Sequence, residues 1–288
     1  MTLRRTLLLS PWAALVLVSA WPMPAFAVPM TFSANGPNAA SISATVAQFQ
    51  AALGNPNNGN AAGTTGGRRE INWDGGNVNL LDNTPGGTPF NVFLNTRGGQ
   101  FTTSGTGFVQ APPSGGPQNG LAGQFTNPTY GTTFAAFSPS RLFVPIGSNA
   151  FDALFFVPGT NGGVHATVGG FGIVFSDIDL ANTTHMDFFD PQGNSLGSFN
   201  AAAGGTTNAS FSFLGVNFST EQIGRVHVVL GNSALGPNDG AGVDVVAMDD
   251  FLFSEPRAVP APGVLALLVM GGVVLGAATR LRRRVGLL

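Results

Sequence analysis

The stretch Arg225-Val226-His227-Val228-Val229-Leu230 is short, apolar and rich in β-branched valine, a composition typical of a β-strand. Comparable runs recur at short intervals from Phe151 onward, with no helical segments alternating between them. We predict strands at residues 151–157, 171–175, 186–189, 210–214 and 243–253. Many short strands without alternating helices predict an all-β fold, an antiparallel β-sandwich of the jelly-roll-like kind.

Upstream of this region the pattern is more mixed. Further strands are predicted at residues 70–73, 90–94 and 141–146. Residues 43–53 form the one helical candidate, because Ile42, Val46, Phe49 and Leu53 recur at helical spacing, with Ser41 or Ser43 as the N-cap. The Gly/Asn-rich residues 54–67 are predicted to be a mobile loop. Residues 28–69 are thus interpreted as a helical strap with a flexible loop, and residues 70–256 as the sandwich.

The N-terminus has the three parts of a secretory signal peptide. Arg4 and Arg5 precede an apolar core at residues 7–20, and Ala25-Phe26-Ala27 is a cleavage site before Val28. We therefore predict that residues 1–27 are removed on export.

The C-terminal residues 257–288 also have three parts. A short motif, Val259-Pro260-Ala261-Pro262, precedes an apolar run at residues 263–279, which would span about 26 Å as a helix. The basic tail at residues 280–288 follows, with Arg280, Arg282, Arg283 and Arg284. This order predicts a transmembrane helix with its arginines in the cytoplasm and everything before it on the far side.

This C-terminal segment resembles a PEP-CTERM sorting signal, although Ala261 stands where that family has glutamate. Part of the region 171–256 also resembles a recurrent ectodomain of such proteins, in the phrases at residues 170–179, 188–190, 212–216 and 248–251. The resemblance implies a Gram-negative, exopolysaccharide-producing source and an exosortase-type processing enzyme as partner. It implies an inner-membrane anchor with a periplasmic ectodomain before processing, and then a cell-surface or extracellular location.

Composition narrows the classes of function. Residues 28–259 carry six arginines, no lysine and all 14 acidic residues, a formal net charge of −8. An acidic surface repels nucleic acid and favours divalent cations, so nucleic acid is excluded as a partner. The chain has no cysteine, which excludes a disulfide framework and thiol catalysis.

Aspartates at predicted strand ends are candidate calcium ligands. Asp177 and Asp179 alternate along one strand end and face the same way. Calcium prefers clustered carboxylate and carbonyl oxygens, so a structural calcium site is one interpretation. Independent capping of turns by each aspartate is the other. The proposed ligands are Asp177, Asp179, Asp187, Asp190, Asp249 and Asp250, with Asp244 upstream of the last pair.

Trp73 and Asp74 form a second candidate site. A tryptophan beside polar groups is typical of a platform on which a sugar ring stacks. The same residues are equally typical of a strand that ends in an Asp-Gly turn, with the indole in the core.

No catalytic constellation stands out. Gly193-Asn194-Ser195-Leu196-Gly197 matches the nucleophile motif G-x-S-x-G, but its serine lies at a predicted turn and no helix follows. His165, His185 and His227 have no metal-binding spacing, and Glu70, Glu221 and Glu255 form no obvious pair. We therefore predict a non-enzymatic protein of the extracellular polysaccharide or biofilm matrix, structural or adhesive. A carbohydrate-binding module with a defined glycan site and an unrecognised hydrolase are the alternatives.

Overall fold

The computed structural model describes residues 28–75, 79–218, 220, 222–237 and 239–259. Their secondary structure is mostly antiparallel β-sheet with a few helices, in line with the predicted all-β sandwich. Two larger sheets form the body of the domain, and a small two-stranded sheet joins β8 (Ala166–Thr167) to β15 (Arg257–Ala258).

The larger sheet has eight strands. Its order along the sheet is β1 (Met30–Gly36), β12 (Phe211–Asn217), β9 (Gly170–Ser176), β14 (Ala247–Ser254), β6 (Leu142–Ile146), β5 (Gly107–Ala111) and β3 (Thr84–Gly86). The eighth strand, β2 (Arg68–Ile71), pairs with the second half of β14. Because β6 meets β14 only at Met248, the edge of β14 is shared between two partners.

The smaller sheet has five strands. Their order is β11 (Ser195–Asn200), β10 (His185–Phe189), β13 (Arg225–Val229), β7 (Ala150–Phe155) and β4 (Gly99–Thr102). The valine-rich stretch that begins at Arg225 therefore forms the central strand of this sheet.

The main core lies between the two sheets. Phe171, Ile173 and Phe175 of β9 point into it from the larger sheet, and Phe151 and Phe155 of β7 do so from the smaller sheet. The period-two alternation of side chains along a strand produces this arrangement, because every second residue faces the same side.

Helices cover the outer face of the larger sheet. α1 (Ala39–Leu53) packs on β1 and β12, while α3 (Gly120–Gln124) and α4 (Tyr130–Thr133) belong to a second apolar cluster over β5 and β6. A fourth short helix, α2 (Leu94–Arg97), lies beside β2 and β4. The central strands of the larger sheet are thus buried on both faces, which explains why all seven residues of β9 are buried.

The predicted apolar face of α1 is confirmed, since its buried residues are Ile42, Val46, Phe49 and Leu53. The predicted start and cap of the helix are wrong. The helix begins at Ala39, and Asn38 is the N-cap, because its side chain accepts the backbone N–H of Ser41 at 3.2 Å. Ser43 instead donates its hydroxyl to the carbonyl of Ala39 inside the helix, at 2.6 Å.

Two paired glycines on neighbouring strands allow α1 to pack closely against the sheet. Gly172 of β9 pairs with Gly215 of β12, and a Cβ added at either position would lie 2.7 Å from the ring of Phe49. The ring therefore rests directly on the backbone of the sheet.

Gly215→Ala should lower the free energy of unfolding by about 1–3 kcal/mol, since the new methyl group overlaps the Phe49 ring. Urea unfolding followed by circular dichroism measures the change. Phe49→Leu should lower the free energy of unfolding less in the Gly215→Ala variant than it does in the wild type, because the overlap with the ring is then relieved. If the losses of the two single variants simply add up in the double variant, the packing of Phe49 does not depend on a glycine at residue 215.

Residues 90–94 do not form the predicted strand. Phe90 makes one isolated bridge to Phe101, and α2 begins at Leu94. Phe90 and Phe93 both contact Trp73. A strand would send residues three apart to opposite faces, so the shared contact requires a turn.

The N-terminal strap is part of the sandwich. β1, which the sequence analysis missed, pairs along its whole length with β12. The loop at residues 54–67, predicted to be mobile, is held by hydrogen bonds from Arg68 and Arg69 to its carbonyl groups. A composition rich in glycine and asparagine does not reveal these contacts, because the arginines that make them lie outside the loop.

Candidate functional site

The outer face of the smaller sheet carries a row of polar side chains, which we call the polar row. It runs across all five strands through Thr102, Asp152, His227, Asp187 and Ser198, which pair directly from strand to strand. The local sequence places them there: in Phe151-Asp152-Ala153 and Val226-His227-Val228 the flanking residues are buried, so the central residue faces outward.

Asp152 holds the centre of the polar row. It accepts a hydrogen bond from Arg225 Nη1 at 2.8 Å and lies 3.0 Å from His227 Nδ1. The side chains of Asp152, His227 and Arg225 are 33%, 34% and 35% exposed. Their mutual contacts therefore hold them in place while leaving them accessible to solvent.

These contacts shift both titrating groups. Burial alone would raise the pKa of Asp152, but the hydrogen bonds from His227 and Arg225 outweigh it and hold this pKa below its usual value. The hydrogen bond to Asp152 raises the pKa of His227. The pair therefore favours a carboxylate beside a histidine that gains its proton more readily than a free one.

Two grooves open beside the polar row. One, of about 310 Å³, is lined by Thr102, Thr103, Ser104, Asp152 and His227 among others. The second, of about 510 Å³, is lined by Arg225, Leu154, His165, Gln192 and Asp190 among others. The guanidinium carbon of Arg225 also lies over the ring of Phe189, 3.9 Å from its centroid.

The six aspartates predicted as calcium ligands lie in four places. Asp177 and Asp179 follow β9, Asp187 belongs to the polar row, Asp190 lies in the turn after β10, and Asp249 and Asp250 lie in β14. Within the residues that the structure describes, no group of three or more His, Asp or Glu side chains is arranged to hold a metal ion.

One of these places, the turn at Asp190, matches the turn-capping interpretation, whereas Asp249 is buried within β14 and binds a distant segment of the chain. Asp190 accepts the backbone N–H groups of Gln192 and Asn194 at 2.9 and 2.8 Å, which closes its own turn. Asp249 accepts the backbone N–H groups of Phe137 and Ser138, and the Ser138 hydroxyl bridges it to Asp250. Burial raises the pKa of both Asp249 and Asp250.

Trp73 lies in the core, the second of its two interpretations. Its indole is fully buried, stacks on Phe143 with ring centroids 3.8 Å apart, and donates Nε1–H to the carbonyl of Asp249 at 2.7 Å. Asp74 accepts the backbone N–H groups of Ser140 and Arg141. A sugar ring needs an open aromatic face, and this tryptophan does not present one.

The candidate catalytic residues are not brought together. Ser195 lies on β11, and β10 separates it from His227 on β13. Glu70 pairs with Arg68, and Glu255 pairs with Arg69. Glu221 lies outside the described residues.

The residues predicted for export and sorting lie almost entirely outside the described residues: Ala25, Ala27, Pro260, Ala261, Pro262, Arg280, Arg282, Arg283 and Arg284. Of the rest, Val28 is 89% exposed, and Val259 donates its N–H to the carbonyl of His165 beside the larger groove. No helix in the described part of the chain is long and apolar enough to cross a membrane. The segment predicted to do so, residues 263–279, is not in that part.

Sequence reasoning missed Asp152 and Arg225 as site residues, and it grouped Asp244 with Asp249 and Asp250 rather than with Asp179. For Asp152 and Arg225 a signal existed, because the alternation of their strands places both on the outer face. Asp244 lies outside any strand, and only the tertiary structure brings it to Asp179.

Comparisons with protein-family models, with curated proteins and with solved structures each found no match to this chain.

Proposed function

We propose that this chain is an exported, non-enzymatic protein of the extracellular polysaccharide or biofilm matrix, structural or adhesive in role. It is delivered through a signal peptide and a PEP-CTERM-like segment, handled by an exosortase-type enzyme, and held at the inner membrane before reaching the cell surface or the matrix. Its ectodomain is a jelly-roll-like sandwich that contacts polysaccharide through the outer face of the smaller sheet.

One observation carries the proposal: this face is polar and partly open, while helices cover the outer face of the other sheet. Sugar hydroxyl groups both donate and accept hydrogen bonds. Asp152 and Asp187 offer carboxylate acceptors, while Arg225 and His227 offer donors. Because Asp152, Arg225 and His227 already contact one another, they are ordered before a ligand arrives, which lowers the entropy cost of binding.

A carbohydrate-binding module with one defined glycan site is the second candidate. The groove of about 510 Å³ favours it, because this groove is large enough for a small ligand and Arg225 forms part of its wall. Saturable binding to an oligosaccharide that is abolished by Arg225→Ala alone would favour a carbohydrate-binding module. A structural or adhesive matrix protein would instead bind the polymer through many weak contacts.

We expect the full-length protein to cosediment with the exopolysaccharide of its producing cell, and Asp152→Asn or Arg225→Ala to weaken this binding about tenfold or more. Each variant removes a charged hydrogen-bonding group, and such bonds contribute about 1.5–3 kcal/mol. Bound fraction against polysaccharide concentration is the measurement.

Asp82→Asn is the matched control, since Asp82 is a partly exposed aspartate in the segment just before β3 of the other sheet. It should bind like the wild type. Equal binding by all variants would show that the outer face of the smaller sheet is not the contact surface. Absence of binding by the wild type would overturn the adhesive role.

A further inference from the structure

A second cluster of carboxylates lies just beyond the end of β9. Asp177 directly follows the strand and is 3% exposed, Asp179 is two residues further, and Asp244 precedes β14 and is 2% exposed. Asp177 has a positive φ of 68°, a backbone conformation that non-glycine residues adopt at some cost.

Both carboxylate oxygens of Asp244 have hydrogen-bond partners. Its carboxylate accepts the backbone N–H groups of Asp179 at 3.0 Å and Leu180 at 3.4 Å, and the hydroxyl of Thr183. Its role is therefore to fix the backbone that carries Asp179.

Asp177 and Asp179 are different, because each has one buried oxygen without a partner. Backbone hydrogen bonding from Ala209 and Ser210 acts on the carboxylate of Asp177 and only partly offsets the rise in its pKa that burial causes. Even so, Oδ1 of Asp177 accepts no hydrogen bond, and neither does Oδ1 of Asp179. Buried polar atoms are nearly always satisfied, and an ionised carboxylate can only accept. Two such atoms in one cluster call for a positively charged or proton-donating species.

The described residues supply no positive charge there. Burial raises the pKa of Asp177 to about 7, and the charges that act on it in addition are those of Asp179 and Asp244. Burial also raises the pKa of Asp179, and the negative charge of Asp244 raises it further. Ionised, the cluster is strongly unfavourable without a cation.

We propose that Asp177 and Asp179 bind a hard divalent cation, calcium, through their Oδ1 atoms, with Asp244 as a positioning residue. Main-chain carbonyl groups and water complete the six to eight oxygens that calcium takes. Two direct carboxylates are few for this ion, so we expect a dissociation constant of about 0.1–1 mM, the range of extracellular calcium modules. The cation site does not depend on polysaccharide binding.

Thermal unfolding of the full-length protein in detergent tests this site. Raising calcium from zero, with chelator, to 10 mM should raise the wild-type Tm by about 3–10 °C. Asp177→Asn and Asp179→Asn should lose this shift, because each removes one ligand charge. Asp187→Asn, an aspartate of the polar row, should keep it.

Equilibrium dialysis with calcium alone provides a second readout that does not depend on a folding transition. The wild type and Asp187→Asn should bind one ion per chain, and Asp177→Asn and Asp179→Asn should bind at least tenfold more weakly. An unmoved wild-type Tm together with no bound calcium would overturn the proposal and leave a bound proton as the occupant. A calcium response retained in both Asn variants would place the ion elsewhere. The polysaccharide assay is carried out with chelator present, so neither result bears on it.

Discussion

Replacing Trp73 with alanine should lower the free energy of unfolding by about 3–5 kcal/mol, a large part of the 5–15 kcal/mol typical of a folded domain. The indole is fully buried and lies among the rings of Phe90, Phe93, Phe101, Phe143 and Phe251. Truncation removes these contacts, leaves a cavity and deprives the buried carbonyl of Asp249 of the indole N–H that it accepts.

Urea unfolding of the wild type and Trp73→Ala, followed by far-ultraviolet circular dichroism, measures the loss. Tryptophan fluorescence cannot serve, since Trp73 is the only tryptophan after residue 27. Trp73→Phe is the matched control: it keeps an aromatic ring but loses the N–H donor, so its cost should be clearly smaller. A fully stable Trp73→Ala that had lost polysaccharide binding would contradict the core assignment and restore the platform interpretation.

Replacing Arg69 with methionine should cost a similar amount, about 3–5 kcal/mol. Arg69 is fully buried and forms a bidentate ion pair with Glu255, at 2.6 and 2.7 Å, while Glu255 is only 3% exposed. Its remaining donors bind the carbonyls of Gly59, Ala61 and Thr96 and the hydroxyl of Thr64. Methionine keeps much of the volume but leaves the Glu255 carboxylate buried and unpaired.

Two controls separate the lost charge from the lost packing. Adding Glu255→Gln to Arg69→Met should recover part of the stability, because the unpaired charge is then gone. Arg257→Met, at a partly exposed arginine of β15, should change stability by less than about 1 kcal/mol. Native-state proteolysis should also cut Arg69→Met within residues 54–67. Stability and proteolysis equal to those of the wild type would show that the ion pair does not hold this loop.

Local periodicity predicted much of the fold. The apolar spacing of Ile42, Val46, Phe49 and Leu53 identified the buried face of α1, and the run 225–230 is the central strand of the smaller sheet. The same reasoning failed at residues 90–94, where apolar residues form a turn, because Phe90 and Phe93 are both drawn to one buried tryptophan. It also missed β1, whose residues are stabilised by pairing with a strand far along the chain.

The candidate sites were less predictable. The outward position of Asp152 follows from alternation within β7, but its contacts with Arg225 and His227 require the pairing of β7 with β13. The six aspartates look alike in sequence, yet one closes a turn, one lies in the polar row and two lie together in β14. Of these six, only Asp177 and Asp179 keep a buried oxygen without a hydrogen-bond partner.

The sequence by itself determined the class of the fold, the apolar face of its long helix and the acidic, lysine-free, cysteine-free character of residues 28–259. These properties depend on composition and on spacing within a few residues, which local geometry translates directly. Only the tertiary structure decided that Trp73 is buried, that Arg69 pairs with Glu255, and that Asp244 fixes the backbone of Asp179. These contacts join residues far apart in the chain. Their partners are chosen by the order of strands in the two sheets, which no local pattern encodes.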